Sequence, residues 1–149
     1  MKFKSRALGA LAGLLSLFVL TGVAGAIDRP YAEGNVVDVS AIRTENGMFE
    51  DYMAWIAGPW KQFMDAQQAA GLIVSYNVYA ATPRGPHDPN LYLVTVYKNM
   101  AALDDLTAKS DAMAEKIFGS MSKATSDTVA RAKLRTVLGS ELIRELKLK

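Results

Sequence analysis

The chain has 149 residues with 17 basic and 15 acidic side chains, one histidine and no cysteine. The absence of cysteine excludes disulfides and thiol chemistry, and the small net charge gives no reason to expect nucleic acid or an anionic membrane as a partner. A chain of this length can bury roughly two thirds of its unfolded surface, so the burial of a core is sufficient to stabilise it.

The first 26 residues have the pattern of a secretory signal peptide. Their start is basic, residues 7–23 carry no charge, and Ala24 to Ala26 form the small-x-small pattern after which signal peptidase cleaves. We therefore predict cleavage after Ala26 and a periplasmic or secreted protein that does not stay in the membrane. An uncleaved anchor is the alternative, but the uncharged run of 17 residues is at the short edge of what spans a bilayer.

Cleavage at this point changes the charge balance. Lys2, Lys4 and Arg6 are three of the 17 basic residues, and none of the 15 acidic residues precedes the cut. The remaining 123 residues therefore carry 14 basic and 15 acidic side chains, a formal charge of −1. Their length predicts one domain, at residues 35–149, preceded by a flexible leader at residues 27–34.

The first half of that domain has the pattern of a strand followed by a long helix. β-Branched residues in 35–44 predict the first strand. Apolar residues then recur at three- and four-residue steps across 48–70, as in an amphipathic helix. Gly58 and Pro59 predict a kink or a break in it, because proline has no N–H to donate and its ring collides with the carbonyl of Trp55.

The next segment predicts a pair of strands. Gly71 is the expected C′ residue of the helix, and residues 72–81 and 91–98 read as strands two and three. The loop between them is dense in turn-forming residues and has no helical period, so the two strands are expected to be antiparallel.

A second helical region and a last strand complete the pattern. Asn99 is a candidate N-cap, and Gly119 marks a possible break before a shorter helical piece. Residues 133–138 predict strand four. Residues 139–149 could edge a strand or form a terminal helix, and the spacing of their glutamate, lysine and arginine residues favours the helix slightly.

The predicted order is strand–helix–strand–strand–helix–strand, the split βαβ motif. The opening strand Val36–Ile42, the long helix Met48–Ala70 and the strand Leu91–Lys98, which runs through Asn99 directly into Met100–Leu103, resemble the dimeric α/β-barrel superfamily over about residues 35–140. That superfamily includes antibiotic-biosynthesis-type monooxygenases. The resemblance implies an α+β, ferredoxin-like domain whose four-stranded antiparallel sheet has both helices on one face, and whose sheet closes into a barrel with that of a second copy.

The composition of strand three independently favours a homodimer. Both of its faces carry large apolar or aromatic residues, with Leu91, Leu93 and Tyr97 on one face and Tyr92, Val94 and Val96 on the other. Helices on one side can cover only one of these faces. The other would be an aggregation hazard if it stayed in water, and dimerisation would bury it.

Polar side chains on the strands predict a ligand site. Asp38 and Ser40 share one face of strand one, and a second polar set shares one face of strand two. If the two faces coincide, these groups line a cavity inside the barrel, since each unbonded buried polar group costs roughly 1–3 kcal/mol; otherwise they mark the wetter side of the sheet. The candidate ligand-binding residues are Asp38, Ser40, Ser75, Asn77, Tyr79, Tyr97 and Trp55.

Two tryptophans and the single histidine are the other notable residues. Trp55 and Trp60 are five residues apart and do not share a face of a straight helix, so Trp60 is assigned to the core and Trp55 to a pocket mouth or a dimer contact. His87 lies next to Asp88 in the loop and, with Asp38, is a weak catalytic candidate. A lone histidine without cysteine predicts no zinc or copper site and no cofactor, and the resemblance transfers no catalytic residue.

Three functions remain open. The first is an exported homodimer that binds a small, partly apolar molecule in the barrel cavity. The second is a cofactor-independent monooxygenase or isomerase that uses Asp38, Asn77, Tyr79 or His87. The third is a non-catalytic envelope or stress protein without a small ligand. A carboxylate of raised pKa in a pocket would favour the enzyme, and a barrel filled by its own side chains would favour the third.

Overall fold

The computed structural model of the chain describes residues 27–149, apart from the side chains of Met121 and Ala124. The predicted signal peptide, residues 1–26, lies outside the described residues. The elements in chain order are β1 (Tyr31–Thr44), α1 (Phe49–Trp55), a π-helical turn (Ile56–Trp60), α2 (Lys61–Ala69), β2 (Ser75–Ala80), β3 (Leu91–Tyr97), a 3₁₀ turn (Met100–Leu103), α3 (Leu106–Phe118), α4 (Met121–Arg131) and β4 (Arg135–Leu148). From residue 27 onward, no helix has the length and apolar character needed to cross a bilayer.

The four strands form one antiparallel sheet in the order β2-β3-β1-β4. The first and third strands in sequence are central, and the second and fourth lie at the edges. This confirms the predicted α+β, ferredoxin-like arrangement, including the antiparallel pairing of β2 with β3.

The helices pack on one face of this sheet, which we call the helix face. Val36 on β1 is paired with Tyr97 on β3, and both are buried against Met64 of α2. Further along the same pair of strands, Ile42 is paired with Leu91, and both are buried in a second cluster that includes Tyr52 of α1 and Ile56 of the π-helical turn. Directly paired residues point to the same side of a sheet. These pairs, with the alternation along each strand, therefore show which strand residues point to the helix face.

The first and last strands are longer than predicted. β1 begins at Tyr31, within the expected leader, and Tyr31 pairs with Leu148 at the end of β4. The slight preference for a terminal helix at residues 139–149 is therefore wrong. Side-chain pairs on a helix contribute only about 0.2–0.5 kcal/mol each, whereas the early start of β1 offers this segment a continuous row of backbone hydrogen-bonding partners.

The long helix stays helical through Pro59 instead of breaking. A single π-helical turn joins α1 to α2, and within it the N–H of Lys61 donates to the carbonyl of Ile56, five residues back. Proline cannot make the ordinary bond to the carbonyl four residues earlier, and its ring needs room at that position. A wider turn satisfies both requirements, and such turns occur mainly as single insertions within α-helices.

Gly71 ends the helix as predicted. It has a positive φ of 70°, and the N–H groups of Gly71 and Leu72 donate to the carbonyls of Gln68 and Gln67, each at 3.0 Å. This is the Schellman pattern, which satisfies carbonyls that have no partner within the helix. Gly119, with φ of 85°, ends α3 in a similar left-handed conformation, so the predicted break between α3 and α4 is confirmed.

Replacing Gly71 by alanine should lower the free energy of unfolding by about 1–2 kcal/mol, because a Cβ is unfavourable at positive φ. No atom lies within 4 Å of the position that this Cβ would occupy, so the expected loss comes from the backbone and not from a collision. Urea unfolding measures it.

Gly58→Ala is the matched control. This glycine also has open space around it but no positive φ. The gain in helix propensity on Gly→Ala is offset by the crowding of a Cβ against the ring of Pro59, so the free energy of unfolding should change by less than about 0.5 kcal/mol. Equal effects of the two substitutions would contradict the assignment of Gly71 as the C′ residue.

Candidate functional site

The polar strand residues that were predicted to form one group lie on opposite faces of the sheet. Asp38 pairs with Thr95, on the helix face, because it alternates in register with the buried Val36. Ser75 pairs with Val96, which points the other way. Asp38 and Ser40 therefore face the helices, and Ser75, Asn77 and Tyr79 belong to the opposite face. The alternation along each strand is evident from the residues, but the register between strands is not, and a shift of one residue exchanges the two faces.

Asp38, Ser40 and Tyr97 share the helix face but do not form one bonded cluster. The hydroxyl of Ser40 hydrogen-bonds that of Ser140 on β4 at 2.9 Å. Tyr97 is buried, and its pKa is raised by burial and, secondarily, by the charge of Asp38. Burial also raises the pKa of Asp38, whose carboxylate has no hydrogen-bond or ion-pair partner within residues 27–149.

His87 is exposed in the loop between β2 and β3. The carboxylate of the neighbouring Asp88 accepts a hydrogen bond from the backbone N–H of Arg84 at 2.9 Å, and the carbonyl of Asp88 accepts one from Arg43 at 2.8 Å. Asp88 therefore stabilises the loop. The structure shows no hydrogen bond between its carboxylate and His87, so the two do not form the predicted pair of a base and an orienting carboxylate. Among the residues described, no group of three or more histidine, aspartate or glutamate side chains could hold a metal ion.

The structure instead forms a cavity between the helices. Its volume is about 250 Å³. The long helix contributes Trp55, Trp60, Phe63 and Met64 to its walls, α3 contributes Ala114 and Phe118, and α4 contributes Asp127, Thr128 and Arg131. The side chains of four aromatic residues and one guanidinium therefore surround a space slightly smaller than most small-molecule pockets.

The π-helical turn explains why both tryptophans reach this cavity. Residues five apart do not share a face of an α-helix, which is why Trp55 and Trp60 were predicted to have separate roles. In a π-helical turn, however, hydrogen bonds link residues five apart, so positions 55 and 60 lie one above the other. Trp55, which was predicted to lie at a pocket mouth or a dimer contact, lines this cavity. Trp60 lines the same cavity in addition to its core contacts.

Arg131 supplies the positive charge at the wall of the cavity. Its guanidinium lies over the ring of Trp55, 4.1 Å from the centroid, within the range of a cation–π contact. Its Nε donates to the carbonyl of Asp127 at 3.2 Å, and one terminal nitrogen donates to the hydroxyl of Thr128 at 2.5 Å. Burial, with the nearby charge of Arg135, lowers the pKa of Arg131.

Arg135 is a second arginine near the cavity. Arg135 is 5.5 Å from the ring centroid of Tyr52, which itself stacks on Trp55 at 5.9 Å. Tyr52 is fully buried, and burial raises the pKa of its hydroxyl while Arg135 opposes that shift. Within the described part of the chain, neither the Tyr52 hydroxyl nor Nε of Arg135 has a hydrogen-bond partner, although both atoms are buried.

The face of the sheet opposite the helices, which we call the open face, is apolar at its centre. β1 contributes Val37, Val39 and Ala41, and β3 contributes Tyr92, Val94 and Val96. Towards the edges, Tyr79 on β2 is 54% exposed and Ile143 on β4 is 48% exposed. A shallow groove between Ala41, Tyr92 and Gly139 also runs along this face.

Asp38→Asn should raise the melting temperature at pH 7. The pKa of Asp38 is higher in the folded than in the unfolded state, so its ionisation opposes folding as the pH rises from the ordinary aspartate range through the raised pKa. The gain in melting temperature should shrink as the pH falls through this interval. It should be absent below the ordinary aspartate range, where Asp38 is protonated in both the folded and the unfolded state. Thermal unfolding between pH 3 and 8 checks this, with the exposed Asp111→Asn as control. A lower melting temperature for Asp38→Asn at pH 7 would contradict the unpaired, desolvated state of this carboxyl.

Comparisons with known proteins establish the fold and not the activity. No protein-family model matches the chain, and no curated protein is detectably similar to it in sequence. Among solved structures, it is similar to a nipsnap family protein of unknown function from Agrobacterium tumefaciens, with a TM-score of 0.52 and 13% identity over 78% of this chain and 92% of that one.

Two further solved structures show weaker likeness. Protein SO0527 from Shewanella oneidensis has a TM-score of 0.47 and 18% identity, covering 78% of this chain and 96% of that one. A protein from Bacteroides fragilis, described as dimeric, of unknown function and of ferredoxin-like fold, has a TM-score of 0.40 and 12% identity, covering 75% and 95%. The strand order of the sheet, with the likeness to the Agrobacterium tumefaciens structure, confirms the predicted resemblance at the level of the fold: the chain is a ferredoxin-like α+β protein.

Proposed function

We propose that this protein is an exported homodimer that binds a small, largely apolar molecule in the cavity between its helices. The observation that carries the proposal is the cavity itself, lined by Trp55, Trp60, Phe63 and Phe118 with Arg131 at its wall. Most of the lining residues are only partly buried, so the cavity, of about 250 Å³, opens to solvent. It combines apolar aromatic walls with one charged group, as small-molecule sites do, and a ligand that fills it would remove this apolar surface from water.

This cavity replaces the predicted site inside a barrel of two sheets. That prediction required Asp38 and Ser40 to meet Ser75, Asn77 and Tyr79, and the sheet register separates them. Trp55 is the one predicted binding residue that also lines the helix cavity. Asp38 has a raised pKa but does not line this cavity, so a monooxygenase or isomerase is less well supported than a binding protein.

The homodimer is supported by the open face. Its centre is a continuous patch of valine, alanine and tyrosine side chains from β1 and β3, and Ile143 on β4, which pairs with Val37 and is 48% exposed, extends this surface. A second copy of the chain presents the same apolar surface and would bury both at once by two-fold symmetry. Export is supported by the signal-peptide pattern of residues 1–26.

Val94→Glu should convert the dimer to a monomer. Val94 lies at the centre of the open face, so the substitution would bury a carboxylate from each copy in the interface and weaken association by about 100-fold or more. Val129→Glu, at a position on α4 that is 64% exposed, is the matched control and should leave the dimer intact.

Native mass spectrometry of the protein purified from its own host measures both the dimer and the export. The expected species is a dimer whose chains begin at Ile27. A monomeric wild type would contradict the interface, and a chain that retains residues 1–26 would contradict cleavage.

Ala114→Phe should abolish binding by filling the cavity. Ala114 is on the α3 side of the cavity wall, and a phenyl ring there would occupy the space that the ligand needs. The neighbouring Ala112 is exposed on the same helix, so Ala112→Phe is the matched control.

The fluorescence of Trp55 and Trp60 reports binding directly, because both of the protein's two tryptophans line the cavity. A neutral phenyl compound such as 3-phenylpropanamide, which does not absorb at the tryptophan excitation wavelength, should change the emission of the wild type and of Ala112→Phe. Its affinity for Ala114→Phe should be weaker by about 10-fold or more. Unchanged binding by Ala114→Phe would exclude this cavity as the site.

A further inference from the structure

The two arginines beside the cavity are not in a close ion pair. Ion pairs in the structure involve Lys61, Arg84, Arg144, Lys147 and Lys149, all of them at the surface. Over residues 27–149, neither Arg131 nor Arg135 forms an ion pair within 4.0 Å. Both side chains are half-buried, and a half-buried cation without a close counter-charge is less favourable than a paired one.

The surroundings of these arginines increase the cost of leaving them without a close counter-charge. Both guanidinium groups lie against aromatic rings, over Trp55 and Tyr52 respectively. They are also close enough for the charge of Arg135 to disfavour the charged form of Arg131. The carboxylate of Asp127 attracts Arg131 electrostatically, but what Arg131 bonds on that residue is the backbone carbonyl. An anion bound at Arg131 would compensate both charges.

Arg131 is also oriented to receive such an anion. Its Nε and one terminal nitrogen are fixed by the carbonyl of Asp127 and the hydroxyl of Thr128, and neither of these bonds uses Nη1. The stacking on Trp55 holds the guanidinium plane in place. A guanidinium that is pre-oriented in this way loses little freedom when it binds a carboxylate, for which its planar donor arrangement is well suited.

We propose that the ligand of this cavity is a carboxylate attached to a small aromatic or alicyclic ring, with the ring between Trp55, Trp60 and Phe63 and the carboxylate at Arg131. This inference rests on the proposed function, because it specifies the ligand class of the same site. The cavity volume of about 250 Å³ limits the apolar part to one or two rings, and a single oriented guanidinium at the wall selects one monoanionic group.

A matched pair of probes tests the charge. 3-Phenylpropanoate and 3-phenylpropanamide have nearly the same size and shape, and they differ in charge at the end that would meet Arg131. Tryptophan fluorescence of the full-length chain, expressed with its own N-terminal residues, should show the carboxylate binding about 10-fold or more tightly than the amide at pH 7.

Arg131→Gln should remove that preference selectively. The variant should bind the carboxylate no better than the amide, while its affinity for the amide stays close to that of the wild type. Arg84→Gln, at a loop side chain that is 94% exposed and does not line the cavity, is the matched control and should keep the full preference. If Arg131→Gln does not fold, the comparison of the two probes on the wild type still decides whether the site selects a carboxylate.

The outcomes separate this inference from the function on which it rests. If the amide binds and the carboxylate binds no more tightly, the carboxylate assignment is overturned while the apolar binding site stands. If neither probe binds, the binding function itself fails, and the inference fails with it. If Arg131→Gln keeps the preference, the carboxylate does not bind at Arg131 and the assignment of that residue is overturned.

Discussion

The missing backbone N–H of Pro59 is the constraint on which the cavity depends. An uninterrupted α-helix cannot include this residue without losing a hydrogen bond and crowding the carbonyl of Trp55. The chain responds with one π-helical turn over Ile56–Trp60, which keeps the two halves of the helix continuous. That turn brings Trp55 and Trp60 to the same wall, and their rings in turn determine where Arg131 can stack. The local geometry of one residue therefore shapes the site that we propose for the ligand.

The sequence predicted the elements that depend on local chemistry. The left-handed Gly71, the turn-rich loop between β2 and β3 and the order of strands and helices are all evident from residue type and periodicity. The conformation of residues 139–149 was not predictable in this way, because the strand at β4 depends on pairing with a segment about 100 residues earlier, as the Ser40–Ser140 hydrogen bond shows. Local helical propensity was the only signal available, and tertiary pairing overrode it.

The site was less predictable than the fold. Alternation along a strand identifies which residues share a face, but only the register between strands shows whether two polar faces coincide, and here Asp38 and Asn77 point to opposite sides. Nothing in the sequence indicated a role for Arg131, because a single arginine in a polar helix usually faces solvent. Pro59 was the one feature of the sequence that could have indicated the cavity, because a π-helical turn at this residue brings Trp55 and Trp60 together.

The pairing of the two outermost segments has a consequence for how the protein reaches its native state. β1 and β4 each contain 14 residues, and they bring the beginning and the end of the described chain together, with the N–H of Lys149 donating to the carbonyl of Pro30 at 3.0 Å. β1, a central strand of the sheet, therefore gains its full set of partners only after β4 has been synthesised. Such long-range closure is slow compared with the formation of helices. Until β4 has paired, one side of β1 presents a row of backbone N–H and C=O groups without partners, so the sheet is completed late in folding, when the two ends of the described chain meet.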